Sequence, residues 1–125
     1  MFFGTHLLLR SRDAEADRAF PRDVLEIPAV DFGEGWLIFV LPPAEMGVHP
    51  GEEQIEHGGE NLAAGTLYLM CRHFRATMEK LAGKGVNCGP VHEAGWGMVT
   101  SIPLPGGGSV GMYEPHHPLA IEAAS

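Results

Sequence analysis

The sequence nearly repeats itself after sixty residues. The coincidences at this offset are Leu7 with Leu67, Leu9 with Leu69, Arg12 with Arg72, Ala16 with Ala76, and Gly35-Trp36 with Gly95-Trp96. The order of predicted elements, a strand, a helix and then further strands, also recurs in the two halves. A repeat of this kind predicts a domain built from two copies of one folding unit.

The first half opens with a predicted strand over Phe3 to Arg10, in which Leu7 and Leu9 point one way while His6, Leu8 and Arg10 point the other. A helix follows. Asp13 is its predicted N-cap, because acidic side chains then occupy the first turn, where the helix dipole favours negative charge. The helix is expected to run to about Leu25, with a kink or an early stop at Pro21, which lacks a backbone donor.

The rest of the first half contains two more predicted strands. The apolar run "WLIFVLPP" after Gly35 predicts a strand covered on both faces, and "AEMGVHP" predicts another short strand. Residues 51–65, "GEEQIEHGGENLAAG", are acidic and rich in glycine without a clear period. We expect them to form a linker between the two halves.

The second half repeats the pattern. "TLYLMC" predicts a strand with Thr66, Tyr68 and Met70 on one face, and "HFRATMEKLAGKG" predicts a helix with a glycine stop near Gly83 or Gly85. Two strands, "GWGMVTSIPLP" and "SVGMYEP", follow around a "GGG" turn. Each half therefore has the predicted order of one strand, one helix and a group of strands.

Length and charge limit the classes of protein. A chain of 125 residues fits one domain, and 16 acidic against 8 basic residues give a net charge of −8, which repels nucleic acid and anionic membrane surfaces. No apolar run approaches the roughly 20 residues of a membrane span, and the order of charges near the N-terminus does not suit a signal peptide. Cys71 and Cys88 have no CxxC spacing, so we expect a reduced, cytoplasmic protein.

Three motifs occur in a characteristic order: "HLLLRSRD", "AFPRDVLEI" and "LPGGGSVGMYEPHHP". Over residues 3 to about 118 the chain resembles the vicinal oxygen chelate superfamily, which includes glyoxalase I, bleomycin-resistance proteins and extradiol dioxygenases. The sequence departs from the family at Pro21, where tyrosine is usual, and at Glu26, where glycine is usual.

The resemblance implies an α+β fold in which tandem βαβββ units form a curled mixed sheet around a central cavity. The chain from 1 to 125 would then be one glyoxalase-like domain, with unit one at about 3–50, the linker at 51–65, unit two at about 66–118 and a tail at 119–125. Members of the superfamily often pair, so a homodimer is expected by resemblance.

The metal ligands of the family's enzymes are mostly missing from this chain. His6 falls on the first-strand ligand position, but Thr66 stands at the matching position of unit two and Gly111 where a last-strand glutamate is usual. One imidazole does not hold a divalent ion, because catalytic zinc, for example, takes three protein ligands. Glu114 lies three residues from Gly111 and so is expected on the opposite face of its strand unless a bulge intervenes.

Two functions are therefore weighed, and no catalytic residue is assigned. The favoured one is a protein that binds a hydrophobic or aromatic small molecule in the cup between its units, without a complete metal triad. The alternative is a lyase, isomerase or dioxygenase that depends on Zn, Ni, Mn or Fe and uses His6 and Glu114 as ligands. A third reading is an interaction module whose cup is filled by its own side chains.

The predicted cup is apolar and aromatic with a few polar tips, which is typical of small-molecule sites. Its predicted lining residues are His6, Leu8, Trp36, Thr66, Tyr68, Met70, Trp96, Gly111 and Tyr113. Gly111, which has no side chain, is expected to leave room for the ligand. The adjacent His116 and His117 are interpreted as part of a solvated tail.

Overall fold

The computed structural model describes residues 1–51, 54–57 and 59–123. Its elements are α1 (Ala14–Asp23), β1 (Ala29–Asp31), β2 (Leu37–Phe39), β3 (Gln54–His57), β4 (Glu60–Ala63), β5 (Tyr68–Met70), α2 (Phe74–Gly83), β6 (His92–Ala94), β7 (Gly97–Pro103), β8 (Ser109–Pro115) and α3 (Ala120–Ala123). The predicted α+β class is confirmed. Within the described ranges, no helix is both long enough and apolar enough to cross a bilayer.

The second half forms a four-stranded mixed sheet in the order β5-β8-β7-β6. β5 runs parallel to β8, whereas the other neighbours are antiparallel. The β7–β8 pair is the longest, with a register that runs from Gly97 opposite Pro115 to Pro103 opposite Ser109. With α2 after its first strand, this half has the βαβββ order predicted from its sequence.

The hydrophobic core lies between this sheet and α2. Val110 and Met112 of β8 and Ile102 of β7 pack against Phe74 and Leu81 of the helix, and Ile102 is only 1% exposed. The three strand residues point the same way because successive side chains of a strand alternate between its faces. The odd-numbered residues of β8 consequently face away from α2.

The C-terminus of α2 is a glycine stop of the predicted kind. Gly85 has a φ of 83°, and its N–H donates to the carbonyl of Ala82 (3.0 Å) while the N–H of Val86 donates to that of Leu81 (3.0 Å). These two bonds define a Schellman motif. Val86 and Leu81 are both buried in the core cluster, so the helix end is also held by apolar packing.

Helix α1 begins as its sequence predicts. The side chain of Asp13 accepts from the N–H of Ala16 (3.2 Å), which makes it the N-cap. The helix continues through Pro21 and ends at Asp23, two residues short of the predicted end. Its apolar face adds to the core of the second half through Phe20.

The carboxylate of Asp17 joins α1 to the turn between β7 and β8. Its Oδ1 accepts from the N–H of Gly106 (2.8 Å), and its Oδ2 accepts from the hydroxyl of Ser11 (2.5 Å). A Cβ at Gly106 would lie 2.6 Å from the Asp17 Oδ2. The two halves of the chain are therefore tied by a hydrogen bond at a turn position where a side chain would crowd the Asp17 carboxylate.

The predicted first strand is wrong. Residues 1–10 form no strand in the structure, and all of them are exposed. An alternating pattern states which side chains would share a face, but a strand also needs a neighbour for its backbone hydrogen bonds. In the described part of the chain, no strand pairs with residues 3–10.

The other strands of the first half also differ from the predictions. "WLIFVLPP" yields only β2, which pairs with β1 alone, and Trp36 and Val40 are both 62% exposed rather than covered. "AEMGVHP" forms no strand. The segment expected to be a linker, 51–65, contains the β3–β4 hairpin. The tandem second sheet and the unit boundaries remain predictions.

Glu26 follows α1 in a left-handed backbone conformation, with a φ of 58°. This conformation suits glycine, the residue usual at this place in the resembled family, because a Cβ crowds the backbone there. The Glu26 carboxylate lies 3.2 Å from the Lys84 Nζ and 3.3 Å from the Lys80 Nζ. Hydrogen bonding to Lys84 and then Lys80 lowers the pKa of Glu26. These ion pairs connect α1 to α2.

We expect Glu26→Gly to be more stable than Glu26→Ala. Both variants lose the carboxylate and its lysine partners equally, so the comparison isolates the backbone conformation. The Tm of Glu26→Gly should lie about 3 °C above that of Glu26→Ala in thermal unfolding followed by circular dichroism. An alanine variant as stable as the glycine variant would contradict the left-handed conformation.

Candidate functional site: an aromatic cluster on the sheet

Three predicted site residues come together on the sheet face that points away from α2. The rings of Trp96 and Tyr113 have centroids 5.1 Å apart, those of Tyr68 and Tyr113 5.7 Å, and those of Tyr68 and Trp96 6.4 Å. All three pairs meet edge to face, which is a favourable arrangement for aromatic quadrupoles. We call Tyr68, Trp96 and Tyr113 the aromatic cluster.

Strand pairing positions each ring of the cluster. The parallel register sets Tyr68 of β5 opposite Gly111 of β8, two residues before Tyr113, so both tyrosines lie on one face. Trp96 precedes β7, and its carbonyl accepts from the N–H of His116 just beyond β8 (2.8 Å). Three neighbouring chain segments therefore converge on one spot.

Gly111 has a different role from the one predicted. A Cβ at this position would overlap the ring of Tyr68. The expectation that Gly111 leaves room for a ligand is therefore wrong, because the Tyr68 ring fills that room. The glycine instead allows an aromatic side chain to lie across β8.

The cluster has a buried floor and exposed walls. Tyr113 is 9% exposed, whereas Tyr68 and Trp96 are 42% and 44% exposed. Burial, together with the charge of Glu45, raises the pKa of the Tyr113 hydroxyl. The phenol therefore stays protonated at neutral pH, while the exposed rings offer apolar faces to a ligand.

Sequence reasoning missed His117. Its ring stacks on that of Tyr113 with centroids 6.0 Å apart and an interplanar angle of 28°, and its Nε2 lies 3.3 Å from the Tyr113 hydroxyl. The interpretation as a solvated tail is therefore wrong for this residue. The neighbouring His116 bonds Glu114 instead (2.9 Å), so the two histidines do point to opposite sides. The prolines that flank the pair in "EPHHP" were the available signal for a bend.

The remaining predicted site residues do not join the aromatic cluster in the structure. His6, Leu8 and Thr66 are exposed and lie outside the strands. Trp36 lies in the β1–β2 loop, where the Arg18 guanidinium sits 4.6 Å from the centroid of its ring. Met70 lines a cavity beside the core.

Two depressions flank α2, and neither contains the aromatic cluster. One, of about 510 Å³, lies at the N-terminus of the helix and includes His73 and Glu114. The other, of about 240 Å³, lies between α2 and the end of α1 and includes Met70, Lys80 and Lys84. Among the polar side chains that border them, Glu114 caps α2 and Lys80 and Lys84 pair with Glu26. The predicted central cavity is not established by either.

Within the described residues, His6 and Glu114, the ligands of the metal-dependent alternative, do not form part of a divalent-metal site. Glu114 lies on the helix side of β8, where its carboxylate accepts from the N–H of Phe74 (3.0 Å) and so caps α2 in place of the His73 side chain. Hydrogen bonding to His116, and then to that backbone N–H, lowers the pKa of Glu114. His6 is exposed. Across 1–51, 54–57 and 59–123, no group of three or more His, Cys, Asp or Glu side chains is arranged to hold an ion.

Solved structures with this architecture were found by comparison of folds. A glyoxylase/bleomycin resistance protein/dioxygenase domain from Frankia sp. EAN1pec aligns with a TM-score of 0.58 and 15% identity over 93% of this chain and 99% of that one. TnmS3, an antibiotic binding protein from Streptomyces sp. CB03234, aligns with a TM-score of 0.57 and 16% identity over 92% and 98%. Lactoylglutathione lyase from Agrobacterium tumefaciens aligns with a TM-score of 0.55 and 17% identity over 85% and 88%.

These similarities define the class of fold. The chain has the fold of glyoxalase, bleomycin-resistance and dioxygenase-domain proteins, which confirms at the level of fold the resemblance to the vicinal oxygen chelate superfamily. At such low identity they show nothing beyond the fold. The sequence itself matches no family model and no curated protein.

We expect Gly111→Ala to destabilise the protein by about 2 kcal/mol, because the added methyl group displaces the Tyr68 ring. In a Tyr68→Ala background the same substitution should cost less than about 0.5 kcal/mol, since the clash is removed. Urea denaturation of the four proteins in this double-mutant cycle measures both values. Equal costs in the two backgrounds would show that Tyr68 does not cover Gly111.

Proposed function

We propose that this protein binds a hydrophobic or aromatic small molecule on the aromatic cluster, without a complete set of metal ligands. The observation that carries the proposal is the edge-to-face arrangement of Tyr68, Trp96 and Tyr113 around Gly111. Two of these rings are more than two-fifths exposed although they belong to an ordered cluster. Aromatic walls with a few polar tips are the usual lining of a small-molecule site.

The energy of such binding comes mainly from burial of apolar surface. Covering about 200 Å² of an apolar ligand contributes roughly 5 kcal/mol before the entropic cost of association is subtracted. A planar ligand against Trp96 would add a stacking contribution of about 1 kcal/mol. Together these effects amount to roughly 6 kcal/mol before the cost of association is subtracted, which supports millimolar affinity rather than tight capture.

The fold comparison supports the same proposal. TnmS3, which aligns with almost the whole chain, is described as an antibiotic binding protein. We extend that activity to this chain only as a proposal, with aromatic antibiotics as the compounds to test. The metal-dependent alternative has the same support from the fold, through lactoylglutathione lyase, but not from the residues, because Glu114 caps a helix and His6 is exposed.

We also propose that the protein is a cytoplasmic homodimer. Cys71 and Cys88 are both free thiols, which suits a reducing compartment. Most of the exposed large apolar side chains lie in the first 48 residues, among them Phe2, Phe3 and Trp36. An exposed apolar surface of this kind supports association with a second copy.

The aromatic cluster can be tested with the dye 1-anilinonaphthalene-8-sulfonate. We expect Trp96→Ala to raise the Kd for the dye about 10-fold, because a wall of the site is lost. Trp36→Ala is the matched control, since it removes an exposed tryptophan outside the cluster, and it should leave the Kd within about twofold. The Kd is measured from the increase in dye emission.

The control measurements are circular dichroism and urea unfolding of both variants, which exclude dye binding to a partly unfolded chain. Equal affinities of wild type and Trp96→Ala would contradict the proposed site. A larger effect from Trp36→Ala than from Trp96→Ala would move the site to the first half of the chain.

The metal content gives a separate prediction. Protein purified without chelators should contain less than about a tenth of an equivalent of Mn, Fe, Ni or Zn, because a structural or catalytic site needs three or more protein donors. Its Tm should not change when each ion is added in excess. Elemental analysis and thermal unfolding measure the two. A stoichiometric ion would favour the metal-dependent lyase, isomerase or dioxygenase.

A further inference from the structure

The hydrogen bonds of His117 define the tautomer of its neutral ring. Its Nδ1 lies 2.9 Å from the carbonyl oxygen of Pro118, and a carbonyl oxygen only accepts, so Nδ1 must carry the proton. In the neutral ring Nε2 is then an acceptor. The partner of Nε2 is the hydroxyl of Tyr113, 3.3 Å away, which must therefore donate to it.

The direction of this hydrogen bond determines what Tyr113 can offer to a ligand. A phenol has one proton and two lone pairs, and the proton is committed to His117. In the described part of the chain no group donates to the Tyr113 oxygen. The lone pairs of the Tyr113 oxygen can therefore accept a hydrogen bond at the floor of the cluster.

The charged group that acts on the Tyr113 hydroxyl is also an acceptor. Burial, and after it the negative charge of Glu45, raises the pKa of Tyr113, and the Glu45 carboxylate accepts from the N–H of Ala120 (2.9 Å). A ligand that presents its own acceptor to the Tyr113 oxygen would meet a lone pair rather than a proton. Such a ligand leaves its polar atom desolvated and unpaired, which costs free energy.

We infer that His117, by accepting the proton of the Tyr113 hydroxyl, leaves the Tyr113 oxygen as a hydrogen-bond acceptor at the floor of the site. The site then selects aromatic ligands that carry a hydrogen-bond donor, such as a phenolic hydroxyl or an N–H. This inference rests on the proposed function and specifies that the same site prefers ligands that donate a hydrogen bond. His117 acts as a positioning residue, because it reaches the ligand only through the Tyr113 hydroxyl.

The test uses two probes of nearly equal shape, 2-naphthol and 2-methoxynaphthalene, which differ in whether the oxygen carries a proton. Each is titrated to displace 1-anilinonaphthalene-8-sulfonate from the wild-type protein. We expect 2-naphthol to bind about 5-fold more tightly, the effect of one neutral hydrogen bond. The dye reports whether the site is occupied, so the effect of Trp96→Ala on dye binding tests the proposed function. The difference between the two naphthalenes tests the inference separately.

Three variants test whether the preference for 2-naphthol depends on the hydrogen bond of the Tyr113 hydroxyl or on ring packing. His117→Phe keeps a stacking ring but frees the Tyr113 proton, so the preference for 2-naphthol should disappear. His117→Glu supplies a side chain of similar reach that only accepts, so the preference should persist. Tyr113→Phe removes the hydroxyl and should also abolish the preference. Dye affinity and unfolding curves check that each variant retains the site.

The outcomes distinguish the two proposals. If the dye binds in a Trp96-dependent way but the two naphthalenes compete equally or not at all with wild type, the inference is overturned while the proposed function stands. A preference that survives His117→Phe also overturns it. Loss of preference in both His117→Phe and Tyr113→Phe, with retention in His117→Glu, supports it. If the dye does not bind, the proposed function itself fails.

Discussion

The pairing of β7 with β8 is the constraint on which the rest of the structure depends. Its register, from Gly97 opposite Pro115 to Pro103 opposite Ser109, decides which residues of β8 face α2. Val110 and Met112 then enter the core, while Gly111 and Tyr113 enter the aromatic cluster. A slip of one residue would exchange the two sets, which would bury a glycine in the core and expose a methionine. The core and the aromatic cluster are thus formed on opposite faces of the same pair of strands.

The second half of the chain was largely predictable because its local signals agree with one another. Alternation placed Tyr68 on one face of its strand, and the glycine-rich end of the helix predicted the stop found at Gly85. The contacts across strands were not predictable, because they depend on register. Gly111 was predicted on the same face as Tyr113, yet only the pairing with Tyr68 shows that its space is filled by an aromatic ring. The part played by His117 depends on a bend after β8 that alternation does not describe.

The first half shows the limit of pattern alone. Residues 3–10 have the alternation of a strand, but no strand in the described part of the chain pairs with them, and their side chains are exposed. Glu26 stands where the resembled family has glycine and still adopts the left-handed conformation that glycine would favour, with two lysines nearby. The side of β8 on which Glu114 lies was predictable from spacing, since the parity that places Glu114 on the face opposite Gly111 also brings its carboxylate to the start of α2.

The hydrogen bond from Gly106 to Asp17 has a practical consequence for engineering of this chain. A hairpin tip is ordinarily the natural place for an inserted epitope or a fluorophore, but here one amide of the tip anchors α1. Two residues on, a Cβ at Gly108 would meet open space. A label or a grafted peptide therefore belongs at Gly108, where it leaves the hydrogen bond between Gly106 and Asp17 intact. A spin probe at Gly108 would report on the docking of α1 against this turn.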